Sequence, residues 1–341
     1  VEVIAHTSLV VGDRSHVPAL RQIAKRAAER VGFNETDAHR VGLVMTELAT
    51  NVAKHAGDGG QVLLRAMASH DAPEVELVAL DRGRGIANVD QSLADGHSTS
   101  GSAGTGLGAI RRLADEFDIY SQMGKGTAVL ARLRPHRRAT HKAEGFDVGG
   151  VSVAMPGENA NGDAWTTLAE RGRIVVSVVD GLGHGELAAS ASSAALEATS
   201  AGSFGTPREG LGLMHGALRH TRGAAAMIVA VDARSTIATA AGIGNVAAVI
   251  VGGARVRQAV SMSGILGHEV RQFREYQYPW PSGALLVVHS DGLISHWSLE
   301  TYPGLRQRSA GLCAAVLYRD YQRGRDDVTV VVARELVREV A

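Results

Sequence analysis

Ile174-Val175-Val176-Ser177-Val178-Val179-Asp180-Gly181-Leu182-Gly183-His184-Gly185 decides how the second half of this 341-residue chain is read. The β-branched run predicts a strand. It stops on a carboxylate followed by glycine, which predicts that Asp180 stands in a turn at the strand edge. Three more acidic stretches sit at the edge of an apolar run or beside glycine: Asn161-Gly162-Asp163, Ser290-Asp291-Gly292 and Asp326-Asp327-Val328-Thr329. Each alone reads equally well as an ordinary turn. Together they predict carboxylates that converge on folding, and two such charges about 4 Å apart repel by about 4 kcal/mol at an effective dielectric near 20. Divalent cations reverse that penalty. The expected arrangement has one carboxylate bridging two ions about 3.5–4 Å apart, with a water between them as nucleophile. Metal-bound water ionises near neutral pH and can attack a phosphorus whose oxygens the ions neutralise.

Around these turns, β-type runs fall at 148–154, 174–179, 225–231, 237–241, 246–251 and 285–289, and alanine-rich helical stretches at 187–199 and 209–220. Strands, two helices, then strands again predict a sandwich of sheets flanked by helices. Ahead of them, the basic, aperiodic stretch 134–142 marks a connector. Two domains are therefore expected, 1–134 and 146–341, joined by a linker at 135–145.

The first domain carries a different set of groups. Val3, Ile4 and 9–11 predict a strand or hairpin. Leu20, Ile23, Ala24, Ala27 and Val31 form a helical stripe that Gly32 ends, and Val41, Val44, Met45, Leu48 and Val52 form a second. Runs at 62–67 and 75–80 read as paired strands turning at Ala72-Pro73, and 119–121 and 127–133 as two more about Gly124-Lys125-Gly126. Between them the polar segment 85–102 has the length of a lid, and Leu107, Ile110, Leu113, Ala114 and Phe117 restore helical spacing. On the second helix Glu47 and Asn51 project from one face, with His55 a turn later. An amide oxygen there can ligate Mg²⁺, and a carboxylate beside it can orient or deprotonate an attacking group. Asp81, followed by Gly83 and Gly85, could accept from an adenine amino group. Gly104-Thr105-Gly106-Leu107-Gly108 opens a helix whose free N–H groups could hold phosphate.

Lys+Arg and Asp+Glu balance at 35 each, so no net field favours nucleic acid or an acidic membrane. A single cysteine, Cys313, excludes an internal disulfide framework and reads as a buried small hydrophobe. No apolar run reaches membrane-spanning length and no signal-type start is visible, so a cytoplasmic protein is expected. Trp165, Trp280 and Trp297 read as core or rim anchors, and His289 and His296 as structural or solvated.

At these residues two resemblances enter. Glu47-Leu48-Ala49-Thr50-Asn51, Asp81-Arg82-Gly83-Arg84-Gly85-Ile86 and Gly104–Gly108 resemble the N, G1 and G2 boxes of the GHKL ATPases, whose fold is the Bergerat α/β sandwich. Asp95–Gly101, Arg111–Phe117 and Gly124-Lys125-Gly126-Thr127 are similar to RsbT, the serine/threonine switch kinase of the stressosome. This implies ATP bound with one Mg²⁺ on Asn51, Glu47 as catalytic base, Asp81 reading adenine, phosphate held by Gly104, Gly106 and Gly108, and Gly83, Gly85 and Thr127 lining the nucleotide. It also implies a STAS-domain partner, an anti-sigma antagonist or stressosome-like protein, with a sigma factor as a further candidate. The second half, from about 146 to 336, resembles PP2C-type phosphatases of the SpoIIE and RsbX branch, an αββα sandwich. That implies two Mg²⁺ or Mn²⁺ ions, with Asp180 bridging, the Gly181 carbonyl as a ligand, Asp291 and Asp326 completing the first site, and Asp163 binding directly or through water. Asp327 stays open as an alternative to Asp326. Two departures stand out: Asn161 replaces a glycine before Gly162-Asp163, and His184 does not directly follow Asp180-Gly181. The combined expectation is a switch that phosphorylates and dephosphorylates Ser or Thr. The alternative is an ATP-dependent anti-sigma or STAS-binding module, without transfer, fused to a phosphatase.

Overall fold

The protein is seen here in a computed structural model that describes residues 5–57, 59–68, 73–93, 106–135, 145–170, 172–200, 204–253 and 255–336. The chain separates into two units, one of His6–Thr140 with Leu299–Arg308, the other holding His141–Ser298 and Ser309–Ala341.

In the first unit the two apolar stripes fold as α1 (Val17–Arg30) and α2 (Glu35–His55). Asn34 caps α2, its side-chain oxygen accepting the Asp37 N–H at 2.8 Å. β1 (Thr7–Val11), β2 (Gly60–Met67), β3 (Glu74–Asp81), β4 (Glu116–Gln122) and β5 (Gly126–Leu133) form one sheet in the order β1-β2-β3-β5-β4, every pair antiparallel. Alternation decides its two faces. Val62, Leu64, Val75, Leu77, Ala79, Val129, Ala131 and Leu133 join the helices in the core. The intervening residues build a buried ion network on the opposite face: Glu76 meets Arg132 Nε at 2.5 Å, Arg65 at 3.1 Å and His6 Nε2 at 2.9 Å, and Arg134 pairs with Glu74. Burial raises the Glu76 pKa, but Arg65 and Arg132 override it and hold the carboxyl well below its ordinary value. Leu299–Arg308 belongs to this unit, where Tyr302 stacks edge-on to Tyr120 at 6.4 Å and the Thr301 carbonyl accepts from Lys125 Nζ at 2.8 Å.

Two expectations here need correction. The polar segment after Gly85 contains a short helix, α3 (Val89–Leu93), too brief to show a period. The next helix, α4 (Gly106–Leu113), stops four residues before Phe117, which lies in β4. Residues 94–105, and with them Gly104 and the Asp95–Gly101 stretch, lie outside the described residues, as do Val3, Ile4, Ala72 and 136–144 of the expected linker.

The second unit stacks two five-stranded sheets. One runs β13-β10-β9-β8-β7, from β7 (Asp163–Glu170), β8 (Arg173–Gly181), β9 (Ala224–Asp232), β10 (Ile237–Ile243) and β13 (Tyr276–Pro279). The other runs β12-β11-β14-β15-β6, from β6 (Phe146–Val153), β11 (Ala247–Gly252), β12 (Arg255–Gln258), β14 (Leu285–His289) and β15 (Val328–Glu335). Val176, Val178, Met227 and Val229 of the first sheet interdigitate with Ala248, Ile250, Leu286 and Val331 of the second. Outside the first sheet lie α5 (Glu186–Thr199) and α6 (Pro207–Ala217), through Ala191, Ala195, Leu211 and Met214. α7 (Ala310–Tyr321) covers β6 and β15 of the second. The result is an αββα sandwich, and the first unit is an α/β sandwich. Sequence spacing alone does not show β7, β12, β13, β15 or α7. Trp165 and Trp280 are core residues and Cys313 is fully buried. Among the described residues no helix is long and apolar enough to cross a membrane.

Candidate active sites

In the first unit three elements meet at one place. Glu47 and Asn51 lie on the same face of α2, and a Cβ built on Gly106 would be 3.4 Å from both Glu47 Oε2 and Asn51 Oδ1. The first residue of α4 therefore stands directly over the pair. Asp81 ends β3, and its Oδ1 accepts the N–H groups of Gly83 at 2.8 Å and Thr127 at 3.2 Å. Any side chain at Gly83 would overlap the His55 carbonyl oxygen, so the turn after Asp81 closes against the last turn of α2 only because position 83 is glycine. Gly85 packs against the Gln122 backbone, and Ser121 Oγ holds the Ile86 N–H at 2.8 Å and Thr127 Oγ1 at 2.9 Å. Gly108 is buried within α4. His55 is pushed toward its neutral form by burial and by the positive charges of Arg84 and Lys54. Glu47, Asn51 and Gly106 thus meet at one place, Asp81, Gly83, Gly85 and Thr127 group about the turn that closes on His55 at the end of the same helix, and Gly108 is buried two residues further along α4. An amide oxygen, a carboxylate and the N-terminal backbone of a helix are groups suited to a nucleotide and its Mg²⁺.

In the second unit, β-pairing places the first two aspartates opposite each other. Asp163 opens β7, Asp180 is next to last in β8, and the two are direct antiparallel partners. β14 ends at His289, just before Ser290-Asp291, and β15 begins at Val328, just after Asp326-Asp327, with His289 paired to Val330. The acidic turns of the second sheet thereby fall at one end of their own strand pair. Burial, followed by the charges of Asp163, Asp291, Asp326 and Asp327, drives the Asp180 pKa upward. Burial also raises that of Asp163, which lies beside Asp327 and Asp291. All five carboxylates therefore share one electrostatic neighbourhood. Close packing shapes the turn beyond Asp180, since a side chain at Gly181 would overlap the Ala188 carbonyl of α5.

Neutral hydrogen bonds hold the cluster in place. Ser290 Oγ donates to Asp163 Oδ2 at 2.6 Å and accepts the Thr329 N–H at 2.9 Å. Asn245 Nδ2 donates to Asp291 Oδ2 at 2.6 Å. Asn161 Oδ1 accepts the Asp163 N–H at 3.0 Å while its amide donates to Ser152 Oγ at 2.8 Å, so this departure from glycine ties the turn to β6. Asp327 accepts the Met155 N–H on Oδ1 at 2.7 Å and the Gly162 N–H on Oδ2 at 2.9 Å. Both its oxygens are thus engaged by backbone. Among the described residues Asp326 Oδ1 accepts only the Asp327 N–H, at 3.0 Å. His184 Nδ1 pairs with Glu158 Oε1 at 2.7 Å, and His289 is a buried structural group bonded to the Ser290 carbonyl and Trp297. Asn245, Ser290 and Glu158 escape a reading by acidic turns. The one available signal is that Gly244-Asn245 also follows a strand.

Hard carboxylate oxygens that, among the described residues, have no cationic side chain paired to them suit Mg²⁺ or Mn²⁺. Among the described residues no three acidic or imidazole groups already form a ligand set around one point.

Fold and sites together define a GHKL-type ATPase domain joined to a PP2C-type phosphatase domain. The histidine kinase-like ATPase family matches residues 10–133, and the Stage II sporulation protein E (SpoIIE) family matches residues 170–335, a span that leaves Asp163 just outside. The serine/threonine-protein kinase RsbT of Bacillus subtilis (strain 168) is 36% identical over 115 residues, covering 34% of this chain and 86% of that protein. The chain belongs to the RsbT family of serine/threonine kinases and carries a SpoIIE-type PP2C domain. Among solved structures, a chain from the bacterial stressosome, described as a modular system adapted to control secondary messenger signaling, superposes with TM-score 0.52 at 31% identity, covering 55% of this chain and 99% of that one. RsbX in complex with magnesium shares the fold at TM-score 0.50 and 20% identity, over 58% of this chain and 99% of that one.

Proposed function

We propose that this chain is a two-way phosphorylation switch, which transfers the γ-phosphate of ATP to Ser or Thr of a STAS-domain partner and hydrolyses a phospho-Ser or phospho-Thr. The observation that carries it is the presence, in one chain, of two separate groupings suited to phosphate: Glu47, Asn51 and Gly106 brought together in one unit, and Asp180 among four carboxylates in the other. In the first, Asp81 takes the adenine amino group, the start of α4 holds phosphate, the Asn51 oxygen takes Mg²⁺, and Glu47 accepts the proton of the attacking hydroxyl. In the second, Asp180 and the Gly181 carbonyl would hold the divalent cations together with Asp291 and Asp326, and Asp163 would bind directly or through water. Two divalent cations would supply a hydroxide near neutral pH and neutralise the phosphoryl oxygens. Asp326 is preferred to Asp327 as a ligand because backbone N–H groups already occupy both Asp327 oxygens.

Similarity to RsbT and to the stressosome chain supports the choice of a STAS-domain partner. Incubation of candidate STAS proteins with γ-labelled ATP and the full chain tests it. Incorporation into Ser or Thr is expected. ATP-dependent binding with no label would make the first unit a clamp and reduce the chain to a phosphatase with a nucleotide-gated binding module.

A further inference from the structure

The turn between α6 and β9 brings a guanidinium to the loop that follows Asp180. Its backbone is pinned on several sides. Thr221 Oγ1 donates to the Leu218 carbonyl at 2.8 Å and accepts the Gly223 N–H at 3.0 Å. The Gly223 carbonyl accepts the Leu182 N–H at 3.0 Å, and the Arg222 carbonyl is held by His268 Nε2 at 3.0 Å. The turn is thereby stitched to the 180–185 loop. The Arg222 side chain lies back over that loop, where a Cβ on Gly183 would be 3.1 Å from Arg222 Nη1. Gly183 adjoins the acidic cluster, since a Cβ on Gly162 would be 3.4 Å from the Gly183 carbonyl and 2.7 Å from Asp327 Oδ2.

Arg222 is exposed, and among the described residues its guanidinium makes no hydrogen bond or ion pair, although carboxylates crowd the adjoining turns. An arginine at such a rim ordinarily spends its donors on the nearest acid. Here a rigid turn presents an unspent planar fork at the edge of the site. A phosphate monoester dianion entering among aspartates gains from a positive group beside the cations, and two parallel N–H donors match two phosphate oxygens.

We propose that Arg222 is the substrate-binding residue of the phosphatase unit that clamps non-bridging oxygens of the phosphoserine or phosphothreonine group. This rests on the phosphatase reading above. Because the clamp acts on phosphate itself, binding can be measured without turnover.

The test is calorimetric titration of inorganic phosphate into the full chain loaded with Mn²⁺, comparing wild type, Arg222→Ala, Arg222→Lys and Arg219→Ala, with Mn²⁺ affinity measured on each. Arg219 is exposed in the same connection and controls for loss of one positive charge. Arg222→Ala is expected to weaken phosphate by about tenfold or more, the scale of a charge-assisted hydrogen bond. Arg222→Lys should fall between, Arg219→Ala should match wild type, and Mn²⁺ affinity should be equal in all four. The inference is overturned if Arg222→Ala binds phosphate as wild type does, if Mn²⁺ affinity falls with it, if Arg219→Ala loses as much, or if wild type binds no phosphate. Hydrolysis of p-nitrophenyl phosphate by the same samples separates the two readings. Arg222-dependent phosphate binding without hydrolysis retains the clamp and removes the phosphatase. Hydrolysis with an indifferent Arg222→Ala does the reverse.

Discussion

Asp180 gathers the electrostatic strain of the second unit's acidic cluster into one carboxylate. Its folded pKa is raised, to about 9, first by burial and then by four neighbouring aspartates, against an ordinary value of 3.8. In the metal-free protein the native state therefore holds a proton that the unfolded chain has released, and stability falls as pH rises from the unfolded value through the folded one. Divalent cations relieve that repulsion. Added Mn²⁺ should raise the melting temperature of the second unit more at pH 8 than at pH 6, read by differential scanning calorimetry; an equal or opposite trend would contradict the electrostatic picture. Asp180→Asn should melt higher than wild type without metal at pH 8, lose metal-dependent hydrolysis to background, and bind ATP unchanged. Retained hydrolysis in that variant removes Asp180 from the reaction. In the first unit, Asn51→Ala should stop phosphate transfer while leaving the fold intact by circular dichroism, and undiminished labelling would count against the site. Asp180 and Asp291 are legible because an Asp-Gly pair at the end of an apolar run is a local pattern, Asp163 because it stands beside glycine, and Asp326 and Asp327 because they stand just ahead of an apolar run. The residues that orient them are not. Asn245 and Ser290 matter through hydrogen bonds that span 46 and 127 positions of sequence, to Asp291 and Asp163.

At the scale of elements, the readable parts were those with a clean period. α1 and α2 each bury one stripe, and their spacing shows it. α7 buries every residue from Ala310 to Arg319, so it has no polar face from which a helical repeat could be read. β15 likewise runs Val-Thr-Val-Val-Val-Ala because it is covered on both faces, by the opposing sheet and by α7. Phe117 was drawn into a helix because its spacing from Leu113 fits one, whereas pairing of Phe117 with Ala131 makes it a strand residue. Charge inside a sheet is harder still to foresee. Glu74 and Glu76 look like the exposed face of a half-buried strand, yet arginines on β2 and β5 enclose them. Glu76→Ala should destabilise the first unit by about 3 kcal/mol, because it leaves buried Arg65 only its longer contact to Glu74 and Arg132 only Glu74 and Glu116. Chemical denaturation followed by circular dichroism measures this, and a loss under about 1 kcal/mol would show the network to be dispensable. The depressed Glu76 pKa gives the same group a pH signature. Its contribution is complete above the unfolded value of 4.5 and is lost as pH falls through the folded one.

Across the whole molecule, two sandwiches of different design each bring backbone turns and polar side chains to a place suited to phosphate. Membership of the RsbT family and the SpoIIE-type domain account for the two designs. The proposed switch requires that one chain both add and remove phosphate on a protein hydroxyl. Mass spectrometry of a STAS-domain protein incubated first with the chain, ATP and Mg²⁺, and then freed of ATP and supplied with Mn²⁺, tests that claim most directly. The account predicts a phosphorylated Ser or Thr after the first step that Asn51→Ala fails to produce, and its loss in the second step, which Asp180→Asn fails to achieve. A partner that stays unmodified throughout, or a phosphosite that persists with wild type and Mn²⁺, would contradict it.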